Sequence, residues 1–119
     1  MTKSPHTIGA DQTLEFASER MGKYKIRHLP VLKGGKLLGI ISDRDVHLVE
    51  ALESVDPSFL LVQDVMVTDV YAVTPDTPLE NVASKMASKK YGSAVVMEKD
   101  KVVGIFTTID ALHALADQL

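Results

Sequence analysis

The chain reads GIISDRDV at residues 39–46 and GIFTTIDA at residues 104–111. Each string runs Gly, three residues ending in a hydroxyl, two variable residues, then Asp. The strings stand 65 residues apart, and the same offset pairs Asp11 with Asp76, Leu14 with Leu79 and Glu15 with Glu80. It also pairs Met21 with Met86, Lys25 with Lys90, Val31 with Val96 and Lys36 with Lys101. Identities that fall on one ungapped offset along most of a chain mark a tandem duplication. Two long copies predict a pseudo-twofold pair of motifs rather than a solenoid.

Each copy carries the same order of signals. An extended entry (residues 7–8; 70–73) is followed by a turn, then by a predicted helix at 13–23 and at 78–89. Leu14, Ala17 and Met21, and likewise Leu79, Val82 and Met86, fall at helical spacing and define an apolar face. A strand follows (29–32; 94–97), then a polar hairpin turn (33–36; 98–101), then a second strand (37–41; 102–106). The second strands are continuously apolar, which predicts burial on both faces. A second helix begins near Asp43 or Thr108. The expected fold is therefore mixed α/β, each motif strand–helix–strand–strand–helix, with the two sheets packed together. Motif 1 is read as residues 1–52, a Pro57-containing linker as 53–64, and motif 2 as 65–119.

Bulk composition narrows the function. The chain of 119 residues is 45% hydrophobic, enough for a real core, and has a net charge of −3 with acids and bases interspersed. Such a balance argues against nucleic acid, which usually needs a concentrated basic surface. There is no cysteine, so disulfides, thiol catalysis and thiolate metal sites are excluded. The apolar runs are too short to span a bilayer and no secretory signal is visible, so the expected location is cytoplasmic. No nucleophile-plus-base constellation appears, and the four histidines form no metal-ligand pair, so neither catalysis nor a metal is expected. An Asp43/Asp45 metal or acid–base dyad is weakened by Thr108, which stands at the Asp43 position of the second copy.

The strings Ser42-x-x-Asp45 and Thr107-x-x-Asp110 admit two readings. As a capping box, the hydroxyl is the N-cap and the acid sits at N3, a cap that stabilises by about 1 kcal/mol. As a ligand site, a helix N-terminus offers free N–H groups to phosphate, while the carboxylate accepts hydrogen bonds from a ribose diol. Gly39 and Gly104 fit either a strand kink or a close backbone approach. The basic stretch 23–28 is either a solvated helix end or a phosphate contact through Arg27 or His28. Arg44 is either a further contact or an exposed helix residue. The last helix, 109–119, has more apolar positions than one buried face needs, which leaves core packing or a subunit interface.

Residues 26–31 (IRHLPV), the following Gly turn and GIISDRDV together resemble a CBS domain, the cystathionine-β-synthase module. Residues 64–66 (DVM) followed by 73–79 (VTPDTPL) resemble the opening of a second one. The whole is similar to stand-alone bacterial CBS-pair proteins, or Bateman modules. That resemblance implies a regulatory sensor whose clefts between motifs bind an adenine nucleoside or nucleotide such as AMP, ADP, ATP or S-adenosylmethionine. It places ligand contacts on Ser42, Asp45, Thr107 and Asp110, on Ile40 and Ile105, on Ile26, Arg27 and His28, on Tyr91, Gly92 and Ser93, and on Tyr71 in the entry strand. It further implies a disc-like homodimer and an effector protein on another chain. The alternative is a structural dimerisation or adaptor module with vestigial clefts. The first copy lacks the equivalent of Pro75 and the DVM lead-in, which predicts a weaker entry strand. Gly92 and Ser93 replace Arg27 and His28, which predicts unequal clefts.

Overall fold

A computed structural model describes residues 1–52 and 54–119; Glu53, the first residue of the predicted linker, lies outside the described residues. The elements run β1 (Thr2–Lys3), β2 (Ile8–Gly9), α1 (Leu14–Tyr24), β3 (His28–Lys33), β4 (Lys36–Ser42), α2 (Asp43–Glu50) and α3 (Val62–Val65). They continue with β5 (Ala72–Val73), α4 (Leu79–Lys89), β6 (Ser93–Glu98), β7 (Lys101–Thr107) and α5 (Thr108–Gln118). This is the mixed α/β fold expected, and its two halves repeat at backbone level. His28 lies opposite Ser42 in the β3/β4 hairpin, and Ser93 lies opposite Thr107 in β6/β7. A register shift falls after Val31 in one hairpin and after Val96 in the other.

The turns repeat too, although their residues do not. The first hairpin turns at Gly34 and Gly35 (φ 58° and 79°), the second at Lys99 and Asp100 (φ 50° and 63°). Two successive positive φ values match a type I′ turn, whose twist suits a β-hairpin. Both α1 and α4 end in a left-handed lysine, Lys25 or Lys90, whose N–H donates to the carbonyl of Met21 or Met86.

The chain divides into two compact units. One comprises residues His6–Asp69. Its sheet has the order β2-β3-β4, and its core gathers Leu14, Ala17 and Met21 of α1 with Leu29, Val31, Ile41 and Val46. Fully burying one such leucine contributes roughly 1.5–3 kcal/mol. The entry strand β2 is formed despite the weaker sequence signal: it pairs parallel to β3, and Ile8 is buried. Within the predicted linker, the short helix α3 also joins this core. Asp64 accepts from the N–H of Leu61 at its start, and Val62 is fully buried. The chain there is stitched to the start of α1, with Leu14 N–H donating to Leu60 O (2.9 Å) and Val62 N–H donating to Gln12 O (2.8 Å).

The other unit comprises Met1–Pro5 with Val70–Leu119. Its sheet has the order β1-β7-β6-β5, so the N-terminal strand pairs antiparallel with β7. Val82, Met86, Ala94 and Phe106 form its core. Two expectations need correction. Leu79 is half-exposed, unlike its repeat-mate Leu14, because it lines an open cleft of about 250 Å³ with Val73, Val82 and Phe106. The second strands are not buried along their whole length: β4 is largely exposed through Leu38, and burial begins at Gly39.

Candidate functional site

The two helix starts carry the residues that the sequence singles out. Ser42 ends β4 in extended geometry and caps α2, so strand and helix meet at one residue. Its Oγ accepts from the N–H of Asp45 (3.2 Å), while its N–H and hydroxyl both donate to Asp45 Oδ2 (3.0 and 2.9 Å). Thr107 and Asp110 repeat this box at the start of α5: Thr107 N–H donates to Asp110 Oδ2 (2.9 Å), and Asp110 N–H donates to Thr107 Oγ1 (3.4 Å). The capping reading therefore holds at both sites. Each box uses Oδ2, which leaves Oδ1 of Asp45 and of Asp110 outside it.

Around the first box the β3/β4 register places His28 opposite Ser42. Asp43 N–H donates to the carbonyl of Arg27 (2.9 Å), which joins the chain before β3 to the first turn of α2. Arg27, His28, Ser42 and Asp45 thus share one end of the unit. Burial pushes the His28 imidazole below its ordinary value; Asp43 and Asp45 pull against that shift, and Arg27 adds to it. A half-buried ring next to a cation holds its proton less well than water would allow.

Around the second box, Thr108 N–H donates to Gly92 O (3.3 Å) and Ser93 lies opposite Thr107. Gly92, Ser93, Thr107 and Asp110 are therefore gathered as their counterparts are. Tyr71 joins them through the chain: its carbonyl accepts from Val95 N–H (2.8 Å), and its ring stacks on Tyr91 with centroids 5.3 Å apart. His6, the repeat-mate of Tyr71, stacks on Tyr24 at 3.8 Å. Tyr91 is among the residues on which the family resemblance places cleft contacts; Tyr24 enters the sequence reading only as part of the basic stretch 23–28. The further signal for Tyr24 is an aromatic ring at the end of α1.

Ile40 and Ile105 precede the hydroxyl by two positions and share its face of the strand. Ile40 exchanges both backbone hydrogen bonds with Val67 (2.9 Å each) and stays half-buried. Ile105 lies opposite Thr2 of β1 and is buried. The neighbouring glycines are explained by these same partners. A Cβ on Gly39 would stand 2.6 Å from Val67 O and 2.9 Å from Met66 Sδ; one on Gly104 would stand 2.7 Å from Met1 Sδ. Close approach of another segment of the chain accounts for both glycines. Met1 and Met66 are themselves one repeat offset apart.

The CBS domain family model matches residues 1–50 and 62–117, and the chain belongs to that family. It is 32% identical over 108 residues to the inosine-5′-monophosphate dehydrogenase of Korarchaeum cryptofilum, a match over 90% of this chain and 21% of that protein. It is 28% identical to the CBS domain-containing protein YhcV of Bacillus subtilis, over 88% of this chain and 74% of that one. The chain spans about a fifth of the length of that dehydrogenase and of the homoserine O-acetyltransferase of Methanohalobium evestigatum. Among solved structures, an acetoin utilization protein (AcuB) of Vibrio cholerae superposes with a TM-score of 0.84 at 35% identity, covering 99% of this chain and 87% of that one. The CBS domain pair of protein MJ0100, solved with 5′-methylthioadenosine and S-adenosyl-L-methionine, superposes with a TM-score of 0.86 at 25% identity, covering 99% and 94%. Among the described residues no helix is long and apolar enough to cross a membrane.

Proposed function

We propose that this chain is a regulatory module that binds an adenosine-containing ligand, of the AMP, ADP, ATP or S-adenosylmethionine class, at its two Ser/Thr-x-x-Asp helix starts. The observation that carries the reading is the spare carboxylate oxygen. Oδ2 of Asp45 and of Asp110 closes the cap, so Oδ1 is available to accept from a ribose diol without unmaking the helix start. Arg27 supplies a cation for phosphate or carboxylate in the first motif, and Gly92 supplies none in the second, so the two sites differ in affinity. The complexes of MJ0100 with two adenosine derivatives support the ligand class. The module acts in the cytoplasm as a homodimer, without catalysis of its own, and passes its ligand state to an effector protein. Binding does so by favouring one of its conformations over another.

A structural adaptor is the second reading, and one observation favours it: both boxes are already satisfied within the chain. A thermal-unfolding screen separates the two. A ligand present at about 100 times its dissociation constant adds about 2.7 kcal/mol of stability. AMP, ADP, ATP, S-adenosylmethionine and 5′-methylthioadenosine are each tested beside their guanine or sulfur-free counterparts. A raised midpoint with at least one adenosine ligand is expected. A flat response to all of them leaves the adaptor reading standing.

A further inference from the structure

The first unit holds a polar pocket whose counterpart in the second repeat keeps only one of its charged residues. A cavity of about 410 Å³ opens between the end of α1 and the first turns of α2, lined by Lys25, Arg27, Asp43 and His47 over a floor of Met21 and Val46. The floor is buried, with Met21 5% and Val46 1% exposed. Two backbone features fix the walls. The left-handed Lys25 (φ 54°) ends α1 and turns the chain toward Arg27, and Asp43 N–H holds the Arg27 carbonyl at 2.9 Å. Among the described residues, the side chains of Lys25, Arg27 and Asp43 are tied up in no hydrogen bond or ion pair.

Gly22 also lines this cavity. A glycine inside a helix costs about 1 kcal/mol relative to alanine. Neither a positive φ nor a close neighbour requires one here, since a Cβ would meet nothing within 4 Å. What the missing side chain does is leave the pocket open. One repeat later Lys25 is kept as Lys90, but Arg27, Asp43 and His47 become Gly92, Thr108 and Leu112, and Gly22 becomes Ala87. The pairing of a second cation with a carboxylate, Arg27 with Asp43, is thus a property of this motif and does not follow from the fold. The two cations Lys25 and Arg27 outnumber the carboxylate of Asp43, which calls for an anion.

We propose that this pocket binds a small organic oxyanion: Lys25 and Arg27 hold a carboxylate or phosphate group, and Asp43 accepts from a hydroxyl or ammonium group on the same compact ligand. The site needs no adenosine at the Asp45 turn and shares only Arg27 with it.

The test is an amide NMR titration of the full chain at fixed ionic strength with three probes: inorganic phosphate, L-lactate and ethanolammonium. Saturable shifts at Gly22, Lys25, Arg27 and His47 are expected with phosphate or lactate, and none with ethanolammonium. Whichever of the two saturates at lower concentration names the oxyanion. Gly22→Leu fills the cavity with a better helix former and is expected to weaken binding at least about tenfold, a loss of about 1.4 kcal/mol. Arg27→Gly, which installs the second repeat's residue, is expected to do the same. His47→Leu, at an exposed helix position, serves if Gly22→Leu fails to fold. Non-saturating shifts scattered over surface lysines, or unchanged affinity in Gly22→Leu or its substitute, overturn the proposal. The response to adenosine ligands is recorded on the same samples, so a failure there with phosphate or lactate binding intact counts only against the earlier reading.

Discussion

Gly39 and Gly104 occupy equivalent positions but face different obstacles. At 39 the nearest atom to a new Cβ is a backbone carbonyl oxygen, that of Val67, at 2.6 Å. At 104 it is the Sδ of Met1, the far end of a flexible side chain that is 52% exposed. Backbone held by two hydrogen bonds cannot yield as a methionine tip can. Gly39→Ala is therefore expected to cost about 1–3 kcal/mol, the range for overpacking, and Gly104→Ala clearly less. Urea unfolding of the two variants measures the difference, and equal losses would remove the explanation. His28 gives a second test. Its folded pKa lies below the ordinary 6.5, so the unfolded chain binds the proton more readily. Stability from this group is then complete above about pH 6.5 and is lost as the pH falls through the folded value. His28→Gln is expected to flatten that part of the stability profile, which denaturant midpoints across mildly acidic pH will show.

At the scale of elements, the second hairpin is the weak copy. Lys99 and Asp100 adopt the left-handed conformations that Gly34 and Gly35 hold in the first. A left-handed residue with a Cβ costs roughly 1–2 kcal/mol, although aspartate and asparagine tolerate it better than most. Replacing the pair with Asn-Gly, the preferred type I′ turn, is expected to raise stability by about 1 kcal/mol in chemical denaturation; no gain would mean that the turn is not strained. The same comparison shows what the sequence reveals and what it hides. The duplication and the helical spacing of Leu14, Ala17 and Met21 were enough to locate α1, α4 and both hairpins. The strand β1 was not legible, because two polar residues have no period and its partner Ile105 is over a hundred residues away. Nor was α3, whose four residues form around one carboxylate and one buried valine. Duplication made the hydroxyl–carboxylate turns visible. The ring stacks of Tyr71 on Tyr91 and of His6 on Tyr24 depend on tertiary contact between residues many positions apart, which no local pattern encodes.

For the molecule as a whole, α5 has no buried residue and exposes Ile109, Leu112 and Leu115 (49%, 60% and 56%) at three-residue steps along one side. An apolar stripe of that kind is expected to be covered by a second copy. Sedimentation should show a dimer, and Leu112→Asp with Leu115→Asp should give a folded monomer; a wild-type monomer at high micromolar concentration would contradict the assignment. The central claim, ligand binding at the duplicated turns, is best tested by calorimetric titration of AMP, ATP and S-adenosylmethionine into wild type, Asp45→Asn and Asp110→Asn. Asparagine keeps one oxygen to close the cap but replaces the other with a donor, so the variants should unfold close to wild type. Wild type should bind at least one ligand, with unequal sites if both are filled. A lost hydrogen bond to a charged group is worth about 1.5–3 kcal/mol, so at least one variant should bind roughly 10- to 150-fold more weakly. If no ligand gives heat with wild type, or if both variants bind as wild type does, the duplicated motif is a pair of helix caps and the sensing account is wrong.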